Sequence, residues 1–410
     1  MNRLLTPSEV HFFAQKVYTL DADFRKLQST KPNASASSVR AQLGRLDQSV
    51  LTNPQFGNFS DFTVLSSTSG ISNLQLMSGF GFIAQGTGPR TGEWILATRG
   101  TNVQENKYDL ATDANIAVQS GPRGHTVHAG FNRTFKGYEN QLIRYLVAQG
   151  VKRPSVIHCI GHSLGGALAN LNAALLQMRG YNVALYTLGS PRVGYLSFAH
   201  DMTKCIPETQ IRRIMNPADP VAMVPLFPFV HASRSQSELY VPVAHSGMIR
   251  VANHLLGDGY KPVASMSSWS QLKTAAQYDF DRSLMKKYLQ AYGSKSSMSV
   301  LAMLTLEQKL LDLGDAAELA PFAVAQSFLS TYMTAFDRLN SFLPKVPYLQ
   351  GRPLQAYNEV IHSLSQFLGR AKPSPNQSRP DVALLRGLLG HFNTEVGGMA
   401  SLAIRKASAG

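Results

Sequence analysis

The sequence predicts an α/β fold, a sheet covered by helices with a further helical region after it, and three observations carry that expectation. Strand-like apolar segments alternate with helical ones between about residues 79 and 215. An apolar strand pattern at 155–160 runs into a glycine-flanked serine and leaves it through a helix rich in small residues, 164–178. After about residue 260 the strand patterns stop and only helical ones follow.

The elements follow in order. Thr6-Pro7-Ser8-Glu9 supplies an N-cap hydroxyl, a proline at the first helical position and a carboxylate at the third. Val10, Phe13, Ala14 and Val17 then recur at helical spacing, so a helix is expected over about 7–28. The Ser, Ala and Asn-rich stretch 30–38 reads as a loop. Residues 79–85 and 93–98 read as neighbouring strands across a Gly/Pro turn, 131–148 as helix, and 183–188 and 210–215 as strands. Helices are expected over 267–292, 299–313 and 316–343, broken by Gly293, Gly314 and Pro344. A Pro/Ser/Arg-rich segment, 372–380, precedes a last helix from about 381 to 392. The organisation expected is an N-terminal helical segment packing on the core over 1–60, an α/β core over 61–260, a helical insertion or cap over 261–355, and a C-terminal helical segment over 356–410.

Composition removes several classes. The chain has 410 residues, 44% hydrophobic and 16% charged, which excludes disorder and collagen. Two cysteines, Cys159 and Cys205, cannot make a disulfide framework. The N-terminus has one basic residue before Thr6, Pro7 and Glu9 interrupt the apolar run, so no cleavable signal peptide is expected. The uncharged stretch 319–336 is diluted by proline, glutamine, serine and threonine, and reads as a buried or interfacial helix before a membrane span. A net charge of +14, from 39 Lys+Arg against 25 Asp+Glu, favours approach to a polyanionic surface. No zinc-ligand pattern, RNA-recognition signature or Walker loop supports nucleic acid, which leaves an anionic bilayer as the expected surface.

The chemistry concentrates in Gly161-His162-Ser163-Leu164-Gly165-Gly166. A serine on a sharp strand-to-helix turn takes strained backbone angles, and side chains two positions either side would clash across the turn. Such a turn presents Ser163 at the carboxyl edge of the sheet and aims the helix N-terminus, with the Leu164 N–H, at a developing oxyanion. His162, adjacent in sequence to the nucleophile, is not expected to be the base.

Four segments resemble the class 3 lipases, a family of fungal triacylglycerol lipases and plant and bacterial phospholipases A1. Ile95-Leu96-Ala97-Thr98-Arg99-Gly100-Thr101 is similar to the family's strand ending in R-G-T/S, and Val127-His128-Ala129-Gly130-Phe131 to its V-H-x-G-F. The serine turn is the third, and Thr187-Leu188-Gly189-Ser190-Pro191-Arg192-Val193-Gly194 resembles T-x-G-S-P-R-V-G. The resemblance implies an α/β-hydrolase-like sheet and a serine ester hydrolase needing no metal or cofactor. It further implies that Thr101 and Leu164 supply the oxyanion hole. Asn216-Pro217-Ala218-Asp219-Pro220-Val221 resembles the family's N-x-x-D-x-V, which makes Asp219 the acid that orients the histidine.

The histidine departs from the pattern. Ser283-Leu284-Met285-Lys286-Lys287-Tyr288-Leu289 fits the family's H-S-M-x-x-Y-L helix but holds serine where the base should stand. His362, in His362-Ser363-Leu364-Ser365-Gln366-Phe367-Leu368, matches that motif conservatively and is the expected base, returning to the site after the helical insertion. His245 matches a strand motif whose histidine is usually not the base, and His254 would lie at the wrong end of the sheet if its strand were antiparallel. An absent base is the fourth option. The family's lid position falls on 102–109, which is polar and brief, so the 319–336 segment is the better cover.

The expected function is hydrolysis of acyl esters of glycerolipids at a membrane surface, with phospholipid preferred because positive charge suits anionic head groups. The extra helical region and the expected lack of a signal peptide resemble bacterial lipase effectors of type VI secretion. Such an enzyme would be cytoplasmic in its producer, reach a target cell by a signal-independent route, and have an immunity protein or a part of the secretion apparatus as partner. The alternatives are a degenerate lipase fold that binds without turnover, and an intracellular esterase or polyester depolymerase.

Overall fold

The computed structural model describes residues 4–30, 52–53, 57–69, 76–99, 117–153, 155–225, 229–233, 237–242, 249–276, 352–370 and 382–409. The expected helices 299–313 and 316–343, the greater part of 267–292, all of the expected loop 30–38 but Thr30, which ends the first helix, and both lid candidates lie outside the described residues.

Among the described residues eight strands make the main sheet. β1 (Thr52–Asn53), β2 (Gly57–Ser69), β3 (Leu76–Gly86) and β4 (Glu93–Arg99) are antiparallel neighbours in chain order. A second run of short strands follows, β5 (Val118–Ser120) and β6 (Thr126–His128), and then helix α2 (Ala129–Ala148). The chain re-enters the main sheet as β7 (Val156–His162), which pairs parallel to β4 and leads into α3 (Leu164–Met178). β8 (Asn182–Leu188), β10 (Ile211–Met215) and β12 (Glu238–Tyr240) extend the parallel half outward in that order. Between them β9 (Gly194–Tyr195), helix α4 (Leu196–Cys205) and β11 (Phe229–Val230) complete a four-stranded antiparallel sheet in the order β11-β9-β6-β5.

A parallel strand buried on both faces needs apolar residues throughout, and all seven residues of β7 are buried. One face is covered by α1 (Pro7–Thr30), whose Val10, Phe13, Ala14 and Val17 pack with Phe59, Val64, Phe82, Ile95 and Ile160. The capping box forms as expected, with the Thr6 N–H donating to Glu9 Oε2 at 2.6 Å and the Glu9 N–H to Thr6 Oγ1 at 3.3 Å. The other face takes α2, α3 and two C-terminal helices, α6 (Arg352–Phe367) and α7 (Val382–Ala409), which follow the short α5 (Trp269–Ala276). Tyr357, Val360, Ile361, Leu364, Leu388, Phe392, Val396 and Ile404 join the same core cluster as Leu168 and Leu171 of α3.

The last helix runs to Ala409, well past the end expected near residue 392. Gly397-Gly398 disfavours helix locally, but Val396, Ala400, Ala403 and Ile404 behind it are all buried, and that packing overrides the local preference. Among the described residues no helix is long and apolar enough to cross a membrane.

Candidate active site

The serine turn is built by its neighbours. Ser163 has φ 58° and ψ −133°, one of two described non-glycine residues at positive φ. A Cβ on Gly161 would collide with the Gly165 carbonyl, and one on Gly165 with the Thr98 carbonyl of β4. Thr98 Oγ1 donates to the Gly165 carbonyl at 2.9 Å, and the Ser163 N–H donates to the Leu188 carbonyl of β8 at 3.0 Å. The turn is thereby fixed to the strands on both sides of it. Leu164 opens α3, and the first N–H groups of a helix lack intrahelical acceptors, so this end of α3 faces the serine with a donor and a positive dipole.

Asp219 stands on the loop that leaves β10 at the same edge. Asn216 shapes this loop: its Oδ1 accepts from the Ala218 N–H at 2.9 Å and its Nδ2 donates to the Gly259 carbonyl at 3.1 Å. The Asp219 carboxylate accepts from the Val221 N–H at 2.8 Å and from the Tyr260 hydroxyl at 2.7 Å. Burial first, then the charge of Asp219, pushes the Tyr260 phenol well above its usual range, so it remains a donor. Gly189, at φ 54°, makes room for the acid, since a Cβ there would lie 2.6 Å from Asp219 Oδ2 and 2.8 Å from the Tyr260 hydroxyl.

The third group is His254. Its Nδ1 lies 2.9 Å from Asp219 Oδ2 and 3.0 Å from Oδ1, and its Nε2 lies 2.8 Å from Ser163 Oγ. Nδ1–H donates to the carboxylate, which leaves Nε2 to accept from the serine hydroxyl. His254 and Asp219 are fully buried and Ser163 nearly so, so water does not compete for these bonds.

This corrects the expected base. The position against Ser163 Oγ is held by His254, whereas His362 sits half-buried on α6. His254 is set aside in the sequence only for the case that the strand around His245 runs antiparallel, and residues 243–248 lie outside the described residues. β12 runs parallel to β10, and a 3-10 turn, Val251–His254, presents the ring to Asp219. His245, Ser283 and Thr101 lie outside the described residues. Ser163 and Asp219 are brought together, with Leu164 at the adjoining helix end. Sequence reasoning missed the parts played by Tyr260 and Gly189; the left-handed glycine within T-L-G-S was the available signal for the second. Among the described residues no group of three or more His, Cys, Asp and Glu side chains is placed to hold a metal ion.

The comparisons with known proteins centre on this region. Residues 95–229 match the family model for lipase (class 3). The chain is 32% identical over 185 residues to phospholipase A1-II 1 of Oryza sativa subsp. indica, covering 40% of this chain and 46% of that one. It is 38% identical over 118 residues to a lipase of Rhizomucor miehei, covering 27% and 32% of the two chains. It is 35% identical over 119 residues to secreted mono- and diacylglycerol lipase 1 of Fusarium solani, covering 28% and 34%. The chain thus spans less than half the length of each of these relatives. Among solved structures, the Rhizomucor miehei triacylglyceride lipase aligns with TM-score 0.34 at 29% identity, over 43% of this chain and 66% of that one. The mono- and diacylglycerol lipase from Aspergillus oryzae aligns with TM-score 0.35 at 26% identity, over 46% and 66%. The segment that matches the class 3 lipase model holds Ser163 and Asp219 and ends before His254.

Proposed function

We propose that this protein is a carboxylic ester hydrolase acting on lipid, and the observation that carries the reading is the unbroken hydrogen-bonded series Ser163, His254, Asp219. Ser163 Oγ attacks the acyl carbonyl while His254 Nε2 takes its proton. Asp219 holds the tautomer and offsets the imidazolium charge. The Leu164 N–H binds the oxyanion, together with the N–H of Thr101 as the family resemblance implies. His254 then protonates the leaving alcohol, and water repeats the sequence on the acyl-enzyme. The names of the relatives, phospholipase A1 and mono- and diacylglycerol lipase, support lipid esters as the substrate class. The observation behind a non-turnover reading, a serine at position 283, loses its force because His254 meets Ser163 directly.

Within that class we favour glycerophospholipid, on the strength of the net charge of +14. The test is fatty-acid release from anionic phospholipid vesicles and from triacylglycerol emulsion, with Ser163→Ala as control. Release from vesicles above emulsion, abolished in the variant, is expected; no release from any acyl ester would overturn the reading. A secreted antibacterial effector, with an immunity protein in its producer, remains a proposal resting on resemblance of architecture. Growth arrest on expression of wild type, absent with Ser163→Ala, is its test.

A further inference from the structure

His162, the last residue of β7 and the neighbour of the nucleophile, takes no part in the proton transfer, yet its ring is held at both nitrogens and stacked on one face. It is buried, and its Nε2 lies 2.7 Å from the backbone carbonyl of His254. A carbonyl only accepts, so Nε2 carries the proton and Nδ1 is an acceptor. The donor to Nδ1 is the Tyr18 hydroxyl, 2.8 Å away, from the middle of α1 and 144 residues distant in sequence. The His162 ring also stacks on the His254 ring, with centroids 4.7 Å apart and planes at 28°, while Tyr260 meets it edge-on at 5.7 Å and 68°. Tyr18 is fixed in turn. The Arg99 guanidinium lies over its ring at 4.9 Å, and Arg99 pairs with Asp21, one turn further along the same helix.

Resting on the hydrolase reading above, we propose that Tyr18 and His162 are positioning residues for His254, through which the N-terminal helix sets the main chain and the ring plane of the base. The donor on the His254 carbonyl fixes where the residue leaves its 3-10 turn, and the stacked face restricts rotation of the imidazole about χ2. Both matter because the ring must accept from Ser163 Oγ and then donate to the leaving oxygen, and displacements well under 1 Å at such a group are costly. Burial, and then the neighbouring His254, hold the His162 imidazole well below its usual titration range, so it stays neutral. The positive charge that develops during acylation therefore rests on His254 alone, against the face of an uncharged ring.

The experiment uses the full chain and three variants. Tyr18→Phe removes only the hydroxyl. His162→Leu removes both hydrogen bonds, and His162→Gln retains a donor near the Nε2 position. Each is measured for kcat and KM on a short p-nitrophenyl ester and for its rate of phosphonylation by a fluorophosphonate, with circular dichroism to establish folding. Tyr18→Phe should lower kcat and the phosphonylation rate about tenfold at unchanged KM, the loss of roughly one buried hydrogen bond. His162→Leu should lose more, and His162→Gln should recover most of the difference. Leu and Gln variants that are equally impaired, or a Leu variant that is folded and within about twofold of wild type, would overturn the proposal. Wild type that is phosphonylated at Ser163 but cleaves no lipid ester would fail the lipid reading alone, and the same phosphonylation rates would still decide the role of His162. Wild type that resists phosphonylation would overturn both.

Discussion

The Tyr260 hydroxyl donates to Asp219 Oδ2 at 2.7 Å and accepts from the Asn216 N–H at 3.0 Å, so one phenol ties the acid to the loop that carries it. Tyr260 lies six residues beyond His254, and the turn between them brings Gly259 against the main chain of Asn253. Acid and base are therefore set by a single short segment after β12. Tyr260→Phe should leave the fold intact and lower kcat by about tenfold to a hundredfold at unchanged KM, since a hydrogen bond to a charged group contributes about 1.5–3 kcal/mol. Steady-state kinetics on a soluble ester is the measurement, and an unchanged kcat would show that the Val221 N–H suffices to hold the carboxylate.

The assignment of the base is tested by two alanine variants. His254→Ala should reduce activity nearly as far as Ser163→Ala, and the double variant should be little worse, because the three residues act as a unit. Asp219→Asn should cost roughly 10⁴ in kcat if it behaves as the corresponding change does in serine proteases. His362→Ala, on α6, should keep most of the activity. The reverse pattern for His254 and His362 would refute the proposed mechanism.

Backbone strain at the nucleophile yields a stability prediction. Ser163 holds φ 58° and ψ −133°, a combination that an L side chain tolerates poorly and glycine adopts freely. Ser163→Gly should therefore be inactive yet more stable than wild type by about 1 kcal/mol, after the greater chain entropy of glycine is set against the relieved strain. Ser163→Ala, inactive as well, keeps the strain and should unfold close to wild type. Urea denaturation of the three proteins separates these outcomes, and a destabilised glycine variant would argue against strain at this turn.

The parts legible in the sequence were those where local chemistry and tertiary position coincide. β7, the Gly161-His162-Ser163-Leu164-Gly165 turn and α3 form one continuous pattern, because the strand is buried on both faces and the glycines are demanded by close backbone approach. Helix α1 announced itself through Thr6 and Glu9, which cap it without help from the rest of the chain. What Tyr18 does was not legible, since nothing on α1 says that its hydroxyl meets a ring 144 residues away. His254 was missed for a similar reason. It is carried by a 3-10 turn of four residues with no periodicity. The small antiparallel sheet escaped notice because its strands, two or three residues each, are too short for alternation to register.

His128 provides the test of pH dependence. It caps α2, its Nδ1 accepting from the Gly130 N–H at 3.1 Å, and it stacks on Phe131 with ring centroids 4.3 Å apart. Burial, assisted by the charge of Arg133, lowers its pKa from the ordinary 6.5 to about 4. The folded protein thus binds fewer protons than the unfolded chain between those two values, so stability falls as pH drops through that window and is fully present above it. A shift of this size corresponds to about 3 kcal/mol lost by the lower end of the window. Other groups titrate over the same range, so the difference between wild type and a variant isolates the effect. His128→Asn keeps a capping acceptor without a titrating ring, and should be less stable than wild type at neutral pH through loss of the stacked face. Its stability should decline less steeply with acid, so the two curves converge between pH 6.5 and about 4. Urea unfolding at half-unit pH steps checks this, and parallel curves would mean that His128 titrates alike in the folded and unfolded chains.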